Sequence, residues 1–449
     1  MLLATGIVVG PVTVPAAAAG SIRADQWHLD AMHAPEMWKT SRGEGITVAV
    51  IDGGFKLDHP DLEGQFLPGK DFSESPGGVG SYGDPHGTQM AGLIAGTGKA
   101  NGGNGAYGLA PGVKVLPLKI NNGSVGTLVS RDFLDQVGQA VAYAVDQGAK
   151  VVNISQGINS VTTFPEDVVK LNQILAAARA KGVLVFAAAG NEAKSGNPVD
   201  YPGALPNVVG IGAVDRNGTV TDESEVGPQV ALVAPGADTI SACTAPSGYC
   251  KGHGTSDATA LASASAALVW AVHKDWTANQ ILRVLINTAS KPKDGSNHTD
   301  DGGYGAVRPR IALTSPGDPG PADQSPLPAD AAPPSTAPSP TVSSPAHPSL
   351  APSSTGSPGG KAVGAPTAQP KAGVSSGSGG ALPIVGGVVA GLVLLAGLVF
   401  VVVRRRKGAV VQPSAQVPPV PAQQSIGAAS PPPPSYEPPV APGENPYAK

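Results

Sequence analysis

Three residues in this 449-residue chain have the types and settings for serine-based acyl transfer: Asp52, His86 and Ser256. A serine hydroxyl is a weak nucleophile until an imidazole takes its proton. The imidazole in turn needs a carboxylate to fix its tautomer and direction. Asp52 closes the apolar run from Ile46 to Ile51 and is followed by Gly53 and Gly54. His86 stands in His86-Gly87-Thr88 and Ser256 in Gly254-Thr255-Ser256, each where a loop turns into a helix. Ser256 thereby meets backbone N–H groups that have no helical partner, at the positive end of a helix dipole, a setting that stabilises an oxyanion. Taken singly, each residue has a plain structural role: Asp52 as a turn former, His86 as a helix starter, Ser256 as an N-cap. Taken together, in the order Asp, His, Ser, they describe an orienting acid, a general base and a nucleophile.

The elements that must position these groups are legible from their apolar patterns. Leu261 to Trp270 is almost all Ala and Ser, so the helix after Ser256 has no solvent face and belongs deep inside a large domain. Apolar runs at 46–51, 113–118, 149–154 and 182–187, with shorter ones at 208–214 and 230–234, predict strands buried on both faces. Helices are expected from His86 to Ala95, over 133–149 with Leu134, Val137, Val141 and Val145 on one side, and over 166–181 with Val169, Ile174 and Leu175 inward. A last one spans 279–289 behind Thr277 as its N-cap. Strands alternating with helices imply an α/β domain, a mostly parallel twisted sheet with helices on both faces. Working groups in such sheets lie beyond the carboxyl ends of the strands, where Asp52, Ser155 and Asn191 fall.

Charged residues make up 14% of the chain and its net charge is −4, so no nucleic-acid partner is expected. The apolar stretch from Leu2 to Val14 and the small residues Ala17 to Ala19 indicate a signal peptide over 1–19. It lacks the usual leading Lys or Arg, so this leader reads as N-terminally incomplete. The peptidase-sized domain is assigned to 20–314. A Pro/Ser/Ala/Gly-rich linker over 315–381 has too little apolar surface to fold and reads as a disordered stalk. Leu382 to Val403 carries no charge and is long enough for a transmembrane helix, which takes about 20 residues. Arg404, Arg405, Arg406 and Lys407 then place a basic flank and Pro-rich tail, 404–449, in the cytoplasm. The expected location is the cell membrane, single-pass, anchored in the lipid bilayer through 382–403, with the folded domain extracytoplasmic. In an exported chain Cys243 and Cys250 are expected to form a disulfide, because the gap between them holds Pro246 and Gly248 and can turn back. No ligand loop of recognisable spacing is present, so neither metal nor cofactor is expected.

Over roughly residues 24–313 the sequence resembles the subtilisin family of serine proteases. The resemblance rests on Val48 to Gly53, His86 to Gly92, Asn153 to Gly157, Ala187 to Asn191 and Gly254 to Ser256. It implies Asp52, His86 and Ser256 as the catalytic triad and Asn191 as the side-chain donor of an oxyanion hole, with the Ser256 N–H as second donor. It further implies that Ser155, Gln156 and Gly157 pair with an extended substrate as an added strand, while Ala188, Ala189 and Gly190 line the pocket for the residue before the scissile bond. The related sedolisins use acidic residues where this chain has His86 and Asn191, and are disfavoured. A secreted domain, a Pro-rich stalk and one C-terminal membrane helix are more narrowly similar to the mycosins, membrane-anchored proteases of type VII secretion. The short stretch from Gly20 to Trp27 leaves no room for a folded inhibitory pro-domain, which takes about 60 residues.

Two departures from the family pattern stand out. Gln89 replaces a common His, and Asp257 to Ala260 replaces a common Met-Ala-Ala-Pro, placing a carboxylate beside the nucleophile where it is expected to weaken oxyanion stabilisation. His253 reads as a loop residue. The resulting expectation is a membrane-anchored extracytoplasmic serine endopeptidase acting on exported protein or peptide substrates, associated with type VII secretion membrane components. Its activity is expected to fall below about pH 6–7, near an ordinary imidazole pKa. The alternative is a mainly structural subunit of a secretion complex, with proteolysis secondary. A pure peptide-binding module would lack a triad member, and none is missing.

Overall fold

The computed structural model describes residues 21–121, 127–292 and 294–328, all within one compact unit. The chain enters through three short helical turns, α1 (Ile22–Asp25), α2 (Trp27–Ala31) and α3 (Ala34–Met37), before the first strand, β1 (Thr47–Asp52). A two-residue strand β2 (Lys70–Asp71) precedes α4 (His86–Ala95), the turn α5 (Ala100–Gly103) and β3 (Lys114–Lys119). Then come α6 (Thr127–Asp146), β4 (Val151–Ile154), the short β5 (Ile158–Asn159), α7 (Pro165–Ala180), β6 (Leu184–Ala188) and the short β7 (Asp200–Tyr201). The chain continues through β8 (Val209–Val214), β9 (Val230–Pro235), the hairpin β10 (Thr239–Ala242) and β11 (Tyr249–Gly252), α8 (Thr255–Val272), α9 (Ala278–Thr288) and α10 (Pro309–Thr314).

Seven strands form one sheet in the order β2-β3-β1-β4-β6-β8-β9, every neighbouring pair parallel. The continuous apolar character of β1 is explained by its two faces. Val48 and Val50 enter one core with α4, α8 and α9, while Ala49 and Ile51 enter a second core with α6 and α7. The expected mostly parallel sheet with helices on both faces is thus the observed one.

Helix α8 passes through the first core and is buried from Thr255 to Trp270. Its alanines let the sheet approach closely, and its hydroxyls find partners without water. Ser265 donates to the Leu261 carbonyl at 2.7 Å, Thr259 to the Thr255 carbonyl at 2.7 Å, and Ser263 to Asn153 Oδ1 at 3.0 Å. Thr277 caps α9 as expected and closes a reciprocal capping box with Gln280.

The structure revises two details. In α7 the inward residues are Val168, Leu171, Leu175 and Ala178, whereas Val169, expected inward, is 52% exposed. Val168 and Val169 are both apolar, and Val168 is the one in helical register with Leu171, Leu175 and Ala178. The second revision concerns residues 315–328, whose composition reads as linker. They lie back on α9 because Arg283 donates to the carbonyls of Pro319, Pro321 and Gln324, and Gln280 donates to that of Gly320. Thr277 and Asn279 both donate to the Ala322 carbonyl, and Leu327 packs against the first core. The segments 1–19, 382–403 and 404–449, read as leader, membrane helix and tail, lie outside the described residues. Among the described residues no helix is long and apolar enough to cross a membrane.

Arg283 therefore acts as the clamp for this strap. In limited proteolysis of the full chain, residues 315–328 should stay attached to the domain, and Arg283→Ala should expose them to cutting while leaving the domain core protected. Equal protection in both proteins would show that the arginine does not hold the strap.

Candidate active site

Parallel strands deliver their carboxyl ends to one edge of the sheet, and the three expected catalytic residues meet there. Asp52 is the last residue of β1 and is fully buried. Both its oxygens approach His86 Nδ1, Oδ2 at 2.9 Å and Oδ1 at 3.0 Å, and Oδ1 also accepts from the Gly53 N–H at 2.8 Å. His86 is the first residue of α4, its own N–H donating to Asp84 Oδ1 at 2.9 Å. An Nδ1–H held by Asp52 leaves Nε2 as the basic nitrogen. Burial opposes a charged imidazole here, but the Asp52 charge and hydrogen bond, reinforced by Asp257 and Asp84, outweigh it and raise His86 to about 9. That is above the ordinary range expected from the sequence.

Ser256 sits in the first turn of α8, entered through Gly254 at φ +105°. Only glycine suits this turn, since a Cβ would also stand 2.9 Å from the Asn191 carboxamide oxygen. The Ser256 hydroxyl donates to the Ser155 carbonyl at 3.0 Å, and the Ser155 hydroxyl donates back to the Ser256 carbonyl at 2.9 Å. The Ser256 hydroxyl is thus turned to Ser155, and reaching the imidazole takes a rotation about its χ1.

A buried polar chain holds this arrangement, and its members were not assigned roles from sequence. Ser263 on α8 donates to Asn153 Oδ1 at 3.0 Å, and Asn153 Nδ2 donates to the Ser155 hydroxyl at 3.0 Å. Gln156, expected only to flank the substrate, donates from Nε2 to Asp52 Oδ1 at 3.2 Å. The Asn-Ile-Ser-Gln order was visible in the sequence; that these side chains meet α8 and Asp52 was not.

The Asn191 side-chain oxygen accepts from the Thr255 N–H at 2.8 Å and the Thr255 hydroxyl at 3.0 Å. With its oxygen turned onto α8, the amide nitrogen is the end left for the cleft that Asn191 lines. That cleft, about 520 Å³, brings together His86, Gln89, Ser155, Gln156, Gly157, Ala188, Gly190, Asn191 and Ser256. Ala189 departs from expectation: it is fully buried in the first core and does not line the cleft. It follows the last residue of β6, and its N–H donates to the Ile211 carbonyl at 3.0 Å.

Asp257 also differs from expectation. Its carboxylate accepts from the Thr239 hydroxyl on β10 and does not line the cleft; burial pushes its pKa up. His253 is an exposed loop residue 3.7 Å from Glu223. Cys243 and Cys250 are joined across the β10–β11 hairpin with Cα atoms 5.7 Å apart, directly ahead of the Ser256 turn. Among the described residues no cluster of three or more His, Cys, Asp or Glu is arranged to hold a metal ion.

Residues 43–307 match the sequence model of the subtilase family of peptidases. An intracellular serine protease of Paenibacillus polymyxa is 34% identical over 253 residues, 54% of this chain and 71% of its own length. Among solved structures, MycP1 from Mycobacterium smegmatis superposes with a TM-score of 0.57 at 27% identity, covering 66% of this chain and 86% of that one. The MycP3 protease from the type VII (ESX-3) secretion system gives 0.56 at 29% identity, covering 68% and 90%.

Two outcomes follow from this geometry. Only neutral His86 can take a proton from Ser256, so kcat/KM should fall as pH drops through the imidazole pKa of the free enzyme. Because that pKa is raised, the acidic limb of the profile should lie above 6.5, the ordinary value; a limb at or below it would contradict the Asp52 pairing. Asn153→Ala removes the link between Ser263 and Ser155 and should lower kcat by about tenfold with KM little changed. An unaltered kcat would show that the buried chain does not position Ser256.

Proposed function

This chain belongs to the subtilase family and is a subtilisin-like serine endopeptidase related to the mycosins; on that premise we propose that it cleaves exported proteins at the cell membrane by an Asp52–His86–Ser256 acyl-enzyme mechanism. The observation that carries the reading is the pairing of Asp52 with His86 at 2.9 and 3.0 Å on the cleft that also holds Ser256. The Ser256 hydroxyl turns from the Ser155 carbonyl to His86 Nε2 and passes its proton there as its oxygen bonds to the scissile carbonyl carbon. Negative charge gathers on the former carbonyl oxygen, where Asn191 Nδ2 and the Ser256 N–H donate to it. His86 returns the proton to the departing amine nitrogen as the C–N bond breaks, leaving the acyl chain on Ser256. Water, deprotonated by the same imidazole, then releases the carboxylic acid and restores the serine. The substrate lies extended against Ser155 to Gly157.

The placement at the membrane rests on sequence. The uncharged run 382–403 and the basic residues after it support a single anchor with the domain outside and the tail inside. The MycP3 neighbour is described as part of a type VII secretion system, which supports a secretion setting and its membrane components as partners here.

Purified full chain should hydrolyse unstructured peptides. Ser256→Ala should abolish this by ~10⁴-fold or more and Asn191→Ala reduce it by ~100-fold, both with unchanged circular dichroism. In cells the chain should sediment with membranes, and deletion of 382–407 should release it to the medium. Undiminished hydrolysis by Ser256→Ala would overturn the mechanism, and a chain that stays in the cytosol would overturn the location.

A further inference from the structure

The cleft beside Ser256 is acidic. Its lining includes Asp84, Glu192 and Asp200 and no lysine or arginine among the described residues, and Glu192 accepts from Asn159 Nδ2 at 3.2 Å. Asp200 opens β7, which pairs antiparallel with β5, so that Asp200 stands opposite Asn159, two residues after Gly157. Its Oδ2 lies 3.4 Å from where a Cβ on Gly157 would be, and its Oδ1 is buried without a hydrogen-bond partner.

Behind the opposite wall is a second carboxylate. Glu225 is fully buried, and a Cβ on Gly190 (φ +123°) would stand 2.2 to 2.4 Å from its carboxyl atoms. Its Oε1 accepts from the Glu192 N–H at 3.3 Å, while its Oε2 has no partner. Lys194, the basic residue nearest in sequence to Asp200, is turned outward to Asp222 at 2.7 Å. A buried carboxylate without a counter-charge is costly, and native structures keep one chiefly where something else supplies the partner.

Resting on the endopeptidase reading of this site, we propose that the pocket bounded by Ser155 to Gly157, Ala188, Gly190 and Asn191 takes a lysine or arginine side chain from the residue on the acyl side of the scissile bond, with Asp200 as its direct partner and Glu192 and Glu225 adding to the field. The small residues Gly157, Ala188 and Gly190 leave a channel for an aliphatic stem, and the acidic end meets the charged head. Burial and the nearby Glu192 push Asp200 up to about 7, and burial and Asp200 push Glu225 up to about 8. A guest ammonium or guanidinium reverses that cost by favouring the ionised carboxylate. The unpartnered carboxyl thus becomes a selectivity device, since an apolar side chain would bury Asp200 further without supplying it a partner.

The test compares peptides that differ only at that one residue. For the full chain, kcat/KM with lysine or arginine should exceed that with leucine or phenylalanine by about tenfold or more. Asp200→Asn, nearly isosteric, should erase most of the preference by lowering kcat/KM for the lysine peptide about tenfold. A second measurement is independent of catalysis. The Ser256→Ala chain should bind the lysine peptide more tightly than the leucine peptide by fluorescence anisotropy, and the added Asp200→Asn change should cancel the difference. Equal or inverted selectivity in turnover or in binding, or no binding of either peptide, would overturn the proposal. A lysine preference in binding alongside no turnover by the unmutated chain would leave the pocket assignment standing and count against the catalytic reading instead.

Discussion

The site depends on one constraint: the nucleophile stands on the first turn of a helix that has no solvent face. Helix α8 is buried from Thr255 to Trp270, so its axis is fixed by the sheet on one side and by α4, α9 and α10 around it. A helix held that way cannot tilt to suit a substrate, and the Ser256 N–H points wherever the fold sends it. Three residues around it are registered to α8 by hydrogen bonds. Asn191 reaches the Thr255 N–H, Ser155 exchanges hydrogen bonds with Ser256, and Asn153 reaches Ser263 about two helical turns farther on. Such preorganisation serves catalysis because the donors need not reorganise when charge develops.

The electrostatics of the cleft are set from two sides. Asp52 lies fully buried behind His86 and favours its charged form, which stabilises the imidazolium formed during proton transfer. Asp200 lines the cleft and Glu225 lies behind Gly190, and burial pushes the pKa of both carboxyls up. One carboxylate is thus paired with His86, and the proposed pocket for a basic side chain draws on the others. Asp257, the unusual neighbour of the nucleophile, is kept from the cleft by Thr239.

Much of this was legible in the sequence, for physical reasons. Apolar runs such as Val48 to Ile51 must be strands covered on both faces, and an Ala/Ser helix must be buried. Asp52, His86 and Ser256 were readable because each follows a short motif tied to a particular loop-to-helix or strand-end geometry. What escaped was contact between distant segments. Ser263 and Asn153 are 110 positions apart, and Gln156 and Asp52 are 104 apart. Asp200 carried no signal in the sequence, because its place beside Gly157 depends on the pairing of β5 with β7. Val169 was misplaced by one residue because apolar neighbours Val168 and Val169 leave the helical phase ambiguous. The strap at 315–328 was misread because composition counts apolar side chains, while Arg283 binds it by backbone carbonyls.

The central claim is that Ser256 is a nucleophile activated by His86. The most direct measurement is the site and rate of covalent capture by a fluorophosphonate, mapped by peptide mass spectrometry on the full chain. The account predicts a single adduct on Ser256, formed faster as pH rises through the imidazole titration and slowed by at least about 100-fold in His86→Ala. An adduct on another residue, or an unchanged rate without the imidazole, would contradict it.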